Sequence, residues 1–230
     1  MEARLSVSAV IVAAGSSARM GFDKLTAPIS GVPAAVRSVL AFERAPEIDE
    51  IVLVAAPGRV DEFAALIGSF DGDITKLSAI VPGGATRQKS ALAGVLACRK
   101  AADYVCIHDA ARPLVSQETI RAVVRAALLY GAATAAVPVK DTIKTGRDGF
   151  VESTPDRSAL FAVQTPQAFQ KELYLSAVQR AGDDYSDDCQ LIENIGGDVF
   201  LAEGNYQNIK LTTPDDFAAA EAFLRMEAAK

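Results

Sequence analysis

The chain has 230 residues, half of them hydrophobic and 23% charged, which is enough to build a full core and too apolar for a disordered protein. A net charge of −6 argues against general affinity for nucleic acid or an anionic membrane, so an anionic ligand has to be met by local clusters of Lys and Arg. Cys98, Cys106 and Cys189 are odd in number and widely spaced, which fits free buried thiols in a cytosolic protein rather than a disulfide framework or a zinc site. The single histidine, His108, rules out mechanisms that need two and disfavours a Ser-His-Asp triad.

Taken in order, apolar runs of strand length alternate with stretches of helical period. Val7–Ala13 is too short to cross a bilayer and ends in Gly and Ser, so it reads as a core strand. A helix follows over Pro33–Glu43, then a strand at Ile51–Ala55 and a helix that begins near Pro57-Gly58. Leu77–Val81 is the third strand, and Thr86 caps a helix that runs roughly to Lys100. Tyr104–His108 is the fourth, Ser116 caps a helix that reaches about Tyr130, and Ala132–Val137 is the fifth. Continuous apolar strands separated by helices predict an α/β fold, a Rossmann-like and mostly parallel sheet with helices on both faces.

From Pro138 to Phe161 two alternating segments flank a Gly-Arg-Asp-Gly turn, which predicts a β-hairpin. A polar two-stranded arm is marginal alone, so a second subunit is its expected support. Helical period returns at Lys171–Arg180 and Asp187–Ile195, Val199–Ala202 reads as a late strand, and Thr213 caps a closing helix over Pro214–Arg225. The chain ends soon after, at Lys230, and no fused partner domain is expected.

Three segments carry chemistry. After the first strand, Gly15, Ser16 and Ser17 form a loop with no bulky side chains, followed by Arg19 and Lys24. Such a loop offers a concave row of backbone N–H donors that holds phosphates, and the two cations add full charge; a Gly-rich turn also serves simply to reverse the chain. The spacing matches neither a P-loop nor G-x-G-x-x-G, which disfavours a dinucleotide fold. In Val105–Pro113, Asp109 stands at the carboxyl end of a central strand, where open α/β sheets bind ligands. Its expected role is to hold Mg²⁺ against ligand phosphates, against the alternative of capping the next turn. Arg112 could bind a phosphate or pin the loop, and His108 reads as a structural hydrogen-bonding group rather than a base. In Gly83–Ser90 a glycine turn enters a helix start, with Arg87 and Lys89 expected to be exposed; the helix N-terminus can accept an anion or a carbonyl oxygen.

Ala13-Ala-Gly-Ser-Ser-x-Arg-Met-Gly with Lys24, Gly-Gly-x-x-Arg-Gln-x-Ser90, His108-Asp-Ala-Ala-Arg-Pro113, Asp141-Thr142, Asp156-Arg157, Thr165-Pro-Gln167, Tyr185-Ser-Asp-Asp188 and Asn208-Ile-Lys210 occur in one order. Together, over about Val7 to Leu224, they resemble the 2-C-methyl-D-erythritol 4-phosphate cytidylyltransferases of the non-mevalonate isoprenoid pathway. The resemblance implies transfer of CMP from CTP to the methylerythritol phosphate, with release of pyrophosphate and with Mg²⁺ or another divalent cation as cofactor. Carried over by position, Arg19, Lys24, Lys210 and Arg157 would be catalytic. Ala13, Ala14, Gly15, Lys24, Gly84, Ala85, Arg87, Ser90, Asp109 and Lys210 would hold CTP, with Asp109 on the metal. Arg112, Thr142, Arg157, Thr165, Ser186 and Lys210 would surround the acceptor phosphate.

The resemblance also implies a cytoplasmic homodimer, residues 1–230 forming one nucleotidyltransferase domain whose inserted arm, at about 138–161, carries its Arg into the neighbouring site. Ala18 stands where some relatives have a second basic residue, which places more of that load on Arg19; Ser186 replaces a common Thr and keeps the hydroxyl. The competing readings are a ribitol-5-phosphate cytidylyltransferase, which shares most motifs, and a nucleotide-binding module without catalysis. The second Ala of Asp109-Ala-Ala-Arg112 and the Tyr185–Asp188 segment favour methylerythritol phosphate. Arg19, Lys24, Asp109 and Lys210 together favour an enzyme, since a sensor has no need to neutralise transition-state charge.

Overall fold

The computed structural model describes residues 4–15, 21–70, 74–182, 185 and 187–228. In chain order its elements are β1 (Val7–Ala13), β2 (Pro28–Ile29), β3 (Val32–Pro33), α1 (Ala34–Glu43), β4 (Glu50–Ala55), α2 (Val60–Gly68), β5 (Leu77–Pro82), α3 (Arg87–Ala97), β6 (Tyr104–Asp109), α4 (Gln117–Tyr130), β7 (Ala132–Pro138), β8 (Thr145–Arg147), β9 (Phe150–Ser153), β10 (Phe161–Gln170), α5 (Lys171–Arg180), α6 (Cys189–Asn194), β11 (Phe200–Glu203) and α7 (Pro214–Ala228), with a 3₁₀ turn at Arg157–Ala159.

Among the described residues seven strands form one sheet in the order β11-β7-β10-β6-β1-β4-β5. Its pairings are parallel except those of β10, which runs antiparallel to β6 and β7. Side chains on alternate residues of each strand serve opposite faces. Val7, Ala9, Ile11 and Ala13 of β1 pack with Val39 and Phe42 of α1, Phe63 of α2 and Val123 of α4. Val10 of β1, with Val52, Val54, Val105 and Ile107, packs instead against Ala91 and Val95 of α3, Tyr174 of α5 and Leu191 of α6. Each such fully buried Val, Ile or Phe side chain contributes roughly 1.5–3 kcal/mol.

Two of the three capping expectations hold, while at the third the Thr213 hydroxyl donates to Asp216 Oδ2 at 3.1 Å rather than accepting a first-turn N–H. The Thr86 side chain accepts from the Lys89 N–H and the Ser116 side chain from the Thr119 N–H, so each satisfies a donor that the first helical turn leaves free. α3 stops at Ala97, three residues short of expectation, because Cys98 is extended. The ten residues of β10 have no counterpart in the sequence reading. Gln164, Thr165, Pro166 and Gln167 carry neither an apolar run nor strict alternation, yet β6 and β7 flank the strand and supply its ladder. Its register against β7 shifts between Val163 and Gln167, around the cis Thr165–Pro166 peptide.

The expected hairpin is present as β8 and β9, paired antiparallel and exposed along both strands. Its base is held by the Arg157 guanidinium, which donates to the Lys140 carbonyl at 2.7 Å, and by the Tyr206 hydroxyl, which donates to the Pro138 carbonyl at 2.8 Å. No helix among the described residues is long and apolar enough to cross a membrane.

Candidate active site

β4 and β5 extend the sheet on one side of β1, and β6 lies on the other. The order reverses between β1 and β6, the kind of place where open α/β sheets bind ligands. Val12 lies opposite Asp109 in the register, so the Ala14–Gly15 loop and the Asp109 carboxylate leave the sheet side by side.

Asp109, at the end of β6, is 7% exposed and carries a cation on each oxygen. Arg87 Nε donates to Oδ1 at 2.9 Å and Lys210 Nζ to Oδ2 at 2.6 Å. Arg87 forks between two carboxylates, since its Nη1 donates to Asp188 Oδ2 at 2.6 Å. Asp188 Oδ1 accepts from the Tyr174 hydroxyl at 3.1 Å, and the Asp188 N–H donates to Gln167 Oε1 at 3.1 Å. Asp188 and Tyr174 are fully buried. Arg87 was expected to be an exposed cation at a helix start; its side chain is 23% exposed and committed to two ion pairs. The local turn gave no sign of this because Asp188 lies 101 residues away along the chain.

Burial alone would raise the Asp109 carboxyl, but the Arg87 and Lys210 charges outweigh it and hold the group well below the usual carboxylate range. Burial likewise works against the Arg87 charge and loses to Asp109 and Asp188, which hold that guanidinium above its ordinary value. For Asp188 burial wins, and its carboxyl is raised despite Arg87. Asp109 is thus the carboxylate whose charge the two cations favour, whereas Asp188 is its desolvated counterpart behind the guanidinium. Asp188→Ala removes one of two partners of Arg87 and the acceptor of the Tyr174 hydroxyl. The expected loss is about 2–3 kcal/mol, read as a lower midpoint in urea.

Lys24 converges on the same place. Its Nζ donates at 2.9 Å to the carbonyl of Leu211, the residue after Lys210, and the Leu211 N–H donates to the Ala111 carbonyl at 2.8 Å. The segment is fixed by Asp23, whose side chain accepts from the Leu25 N–H at 3.1 Å and the Thr26 hydroxyl at 3.0 Å and pairs with Arg59. Arg19, expected beside Lys24, lies outside the described residues, as does Ser186.

The glycine turn before α3 packs against the loop after β1. A Cβ on Gly83 would come within 2.7 Å of both Ala14 Cβ and Ser90 Oγ, so only glycine permits this approach. Gly84 N–H donates to Ser90 Oγ at 3.1 Å, and the buried Ser90 hydroxyl donates to the Thr86 carbonyl at 2.8 Å. Ala13 is buried at the strand end, while Gly15 and Ala85 are exposed at the rim.

Of the residues expected around an acceptor phosphate, Arg112 and Thr165 border the Asp109 turn. Arg112 Nη1 donates to the Asn208 carbonyl at 2.7 Å, while its buried Nε has no partner. Thr165 is 4% exposed, and its hydroxyl is engaged with Asp109 N and His108 Nδ1 rather than presented to solvent. Thr142 and Arg157 stand exposed on and beside the arm, where Arg157 helps to line a hollow with Pro138, Lys140, Asp156, Ser158 and Phe161. Within one chain they are not joined to the Asp109 cluster by any described contact.

No group of three or more His, Cys, Asp or Glu side chains able to hold a metal stands among the described residues. Asp109 would offer one carboxylate, the donor set that suits a divalent ion held mainly by ligand phosphates and water. Lys210, one of the two cations on that carboxylate, is 42% exposed. Sequence reasoning placed Asp109, Lys24, Lys210 and Arg87 at one site but assigned nothing to Asp188 or Tyr174. The acidic doublet Asp187-Asp188 was visible, without a local signal for which carboxylate turns inward.

The family described as 2-C-methyl-D-erythritol 4-phosphate cytidylyltransferase matches residues 7–226. The protein of that name from Pelotomaculum thermopropionicum is 44% identical over 225 residues, 95% of this chain and 94% of the relative. The one from Caldanaerobacter subterraneus subsp. tengcongensis is 44% identical over 228 residues, 96% of this chain and 100% of the relative. Among solved structures, the 4-diphosphocytidyl-2C-methyl-D-erythritol synthase of Anaerococcus prevotii superposes with a TM-score of 0.84 at 32% identity, covering 96% of each chain. The Thermus thermophilus cytidylyltransferase gives 0.77 at 30% identity over 96% of this chain and 100% of its own.

Proposed function

Because the chain belongs to the 2-C-methyl-D-erythritol 4-phosphate cytidylyltransferase family, we propose that it transfers CMP from CTP to 2-C-methyl-D-erythritol 4-phosphate. The products are 4-diphosphocytidyl-2-C-methyl-D-erythritol and pyrophosphate, on the way to isoprenoid precursors. The observation that carries this reading is the convergence of Lys24, Lys210, Arg87 and Asp109 beside the Gly15 loop at the β1/β6 switch point.

A phosphate oxygen of the acceptor forms a new bond to the α-phosphorus of CTP, and the bond from that phosphorus to the bridging oxygen breaks, so the electron pair leaves with pyrophosphate. The attacking oxygen is already anionic, and no general base is needed. His108 fits that account, because burial pushes its pKa down to about 4 and keeps it neutral at pH 7. The difficulty is to bring two anions together in line, which positioning and positive charge supply. Lys24 and Lys210 act on the triphosphate and the developing charge, with Arg19 as their companion. Ala13, Ala14, Gly15, Gly84, Ala85 and Ser90 border the cytidine, and Arg87 supports that pocket. Asp109 is the carboxylate that would hold Mg²⁺, which when bound supplies charge neutralisation and alignment of the triphosphate. Arg112 and Lys210, with Ser186, would meet the acceptor, and Thr165 stands behind them with its hydroxyl spent on the Asp109 N–H and His108.

Thr142 and Arg157 reach the acceptor from a second copy of the chain, with 1–230 read as one nucleotidyltransferase domain and the arm at about 138–161 as its dimerising insertion. The support is the arm's exposed apolar tip, where Phe150 is 79% and Val151 65% exposed. Three free, buried thiols support a reducing compartment, the cytoplasm. The test is pyrophosphate release from CTP, UTP, ATP or GTP with methylerythritol phosphate or ribitol 5-phosphate. We expect turnover only with CTP and methylerythritol phosphate, abolished by EDTA and restored by Mg²⁺. Equal turnover with ribitol 5-phosphate would overturn the acceptor assignment.

A further inference from the structure

His108 is the chain's only histidine, fully buried beside Phe42 at 4.9 Å between ring centroids, and the reaction above gives it no proton to move. A buried imidazole costs free energy unless both nitrogens are bonded, and an aliphatic side chain would fill the same space more cheaply. Both nitrogens are bonded. Nε2 lies 3.1 Å from the Arg112 carbonyl, and Nδ1 lies 3.0 Å from Thr165 Oγ1. The same Thr165 oxygen accepts the Asp109 N–H at 3.0 Å.

For a neutral imidazole the donors and acceptors close in only one way. A carbonyl cannot donate, so Nε2 carries the proton and donates to Arg112. Nδ1 is then an acceptor, so the Thr165 hydroxyl donates to it and uses a lone pair for Asp109 N–H. The relay leaves the chain at Asp109 N and returns at Arg112 O. It therefore spans the turn already closed by the Arg112 N–H to the Asp109 carbonyl at 2.9 Å. The two ends of that turn carry the site's carboxylate and the guanidinium beside it.

We propose that His108 is a positioning residue: through Thr165 on one side and the Arg112 carbonyl on the other, it sets the spacing between the nucleotide-side Asp109 and the acceptor-side Arg112. This rests on the reading of the site as a cytidylyltransferase. The Ser38 hydroxyl, which donates to the Ala110 carbonyl at 2.9 Å, braces the middle of the turn from α1. With the middle held, loss of either end of the relay lets that end alone drift.

The two ends can be cut separately. Asparagine places its amide oxygen near the Nδ1 position and keeps the Thr165 bond; glutamine places its amide nitrogen near Nε2 and keeps the Arg112 bond. His108→Asn is expected to raise KM for methylerythritol phosphate about ten-fold with KM for CTP nearly unchanged, and His108→Gln to do the reverse, in the range seen for outer-shell partners of site residues. Equal shifts in both constants for both variants, or no shift in either, would overturn the proposal. A single histidine also gives a single imidazole in ¹⁵N NMR, and a neutral, Nε2-protonated ring is expected at pH 7 whose signals move in Thr165→Val. An Nδ1-protonated or charged ring would equally overturn it. If the wild-type chain releases no pyrophosphate from CTP and methylerythritol phosphate, the reaction assignment fails, and the imidazole signature still decides whether the relay exists.

Discussion

Lys24→Ala is expected to lower kcat by about 10²–10³ while the protein stays folded, the size of loss seen when one preorganised charge donor is removed from a transition state. The reasoning is local. Lys24 Nζ donates to the Leu211 carbonyl, next to the lysine paired with Asp109. The loop keeps its shape without that ammonium, because Asp23 still binds Leu25, Thr26 and Arg59, and Leu25 is 2% exposed. Thermal melts should therefore nearly superimpose on the wild type while pyrophosphate release collapses. Lys24→Arg, which keeps the charge but changes its reach, should recover part of the rate. Turnover near the wild-type level in the alanine variant would remove Lys24 from the mechanism.

The second large effect is expected at Asp109. Two carboxylates, Asp109 and Asp188, face two cations, Arg87 and Lys210. Asp109→Asn keeps the volume and leaves Arg87 paired with Asp188, so the fold should survive. It deletes the one carboxylate at the strand end, and kcat/KM is expected to fall by about 10²–10³ with a higher Mg²⁺ requirement, as when an electrostatic group in a water-poor site is lost. A second consequence has the opposite sign. Lys210 loses its partner and the cluster gains net positive charge, so CTP titrated in EDTA should bind at least as tightly as to the wild type. Weaker metal-free binding together with lost turnover would mean that Asp109 holds the pocket's shape rather than acting through its charge.

Several parts of this fold could be read locally. The capping residues Thr86 and Ser116 act within three residues of themselves, and the hairpin is announced by its glycine-bearing turn. Residues of the site were visible as types, through the small residues after β1, the cations that follow and a carboxylate at a strand end. Their pairing was not. Nothing near Arg87 says that it is shared by carboxylates 22 and 101 residues away, and so it read as an exposed cation. β10 was missed for a related reason: its polar residues satisfy partners from remote segments, as when Gln167 Oε1 accepts from the Asp188 N–H.

The order of apolar runs and helical periods thus determined by itself the α/β class, the layered core and the end of the sheet that could receive an anion, because burial and periodicity act over a few residues at a time. Only the tertiary structure decided which charges neutralise one another, which hydroxyl is spent inside the protein and which tautomer the lone histidine holds. Those depend on distances of about 3 Å between groups far apart in the chain, and no local pattern encodes them.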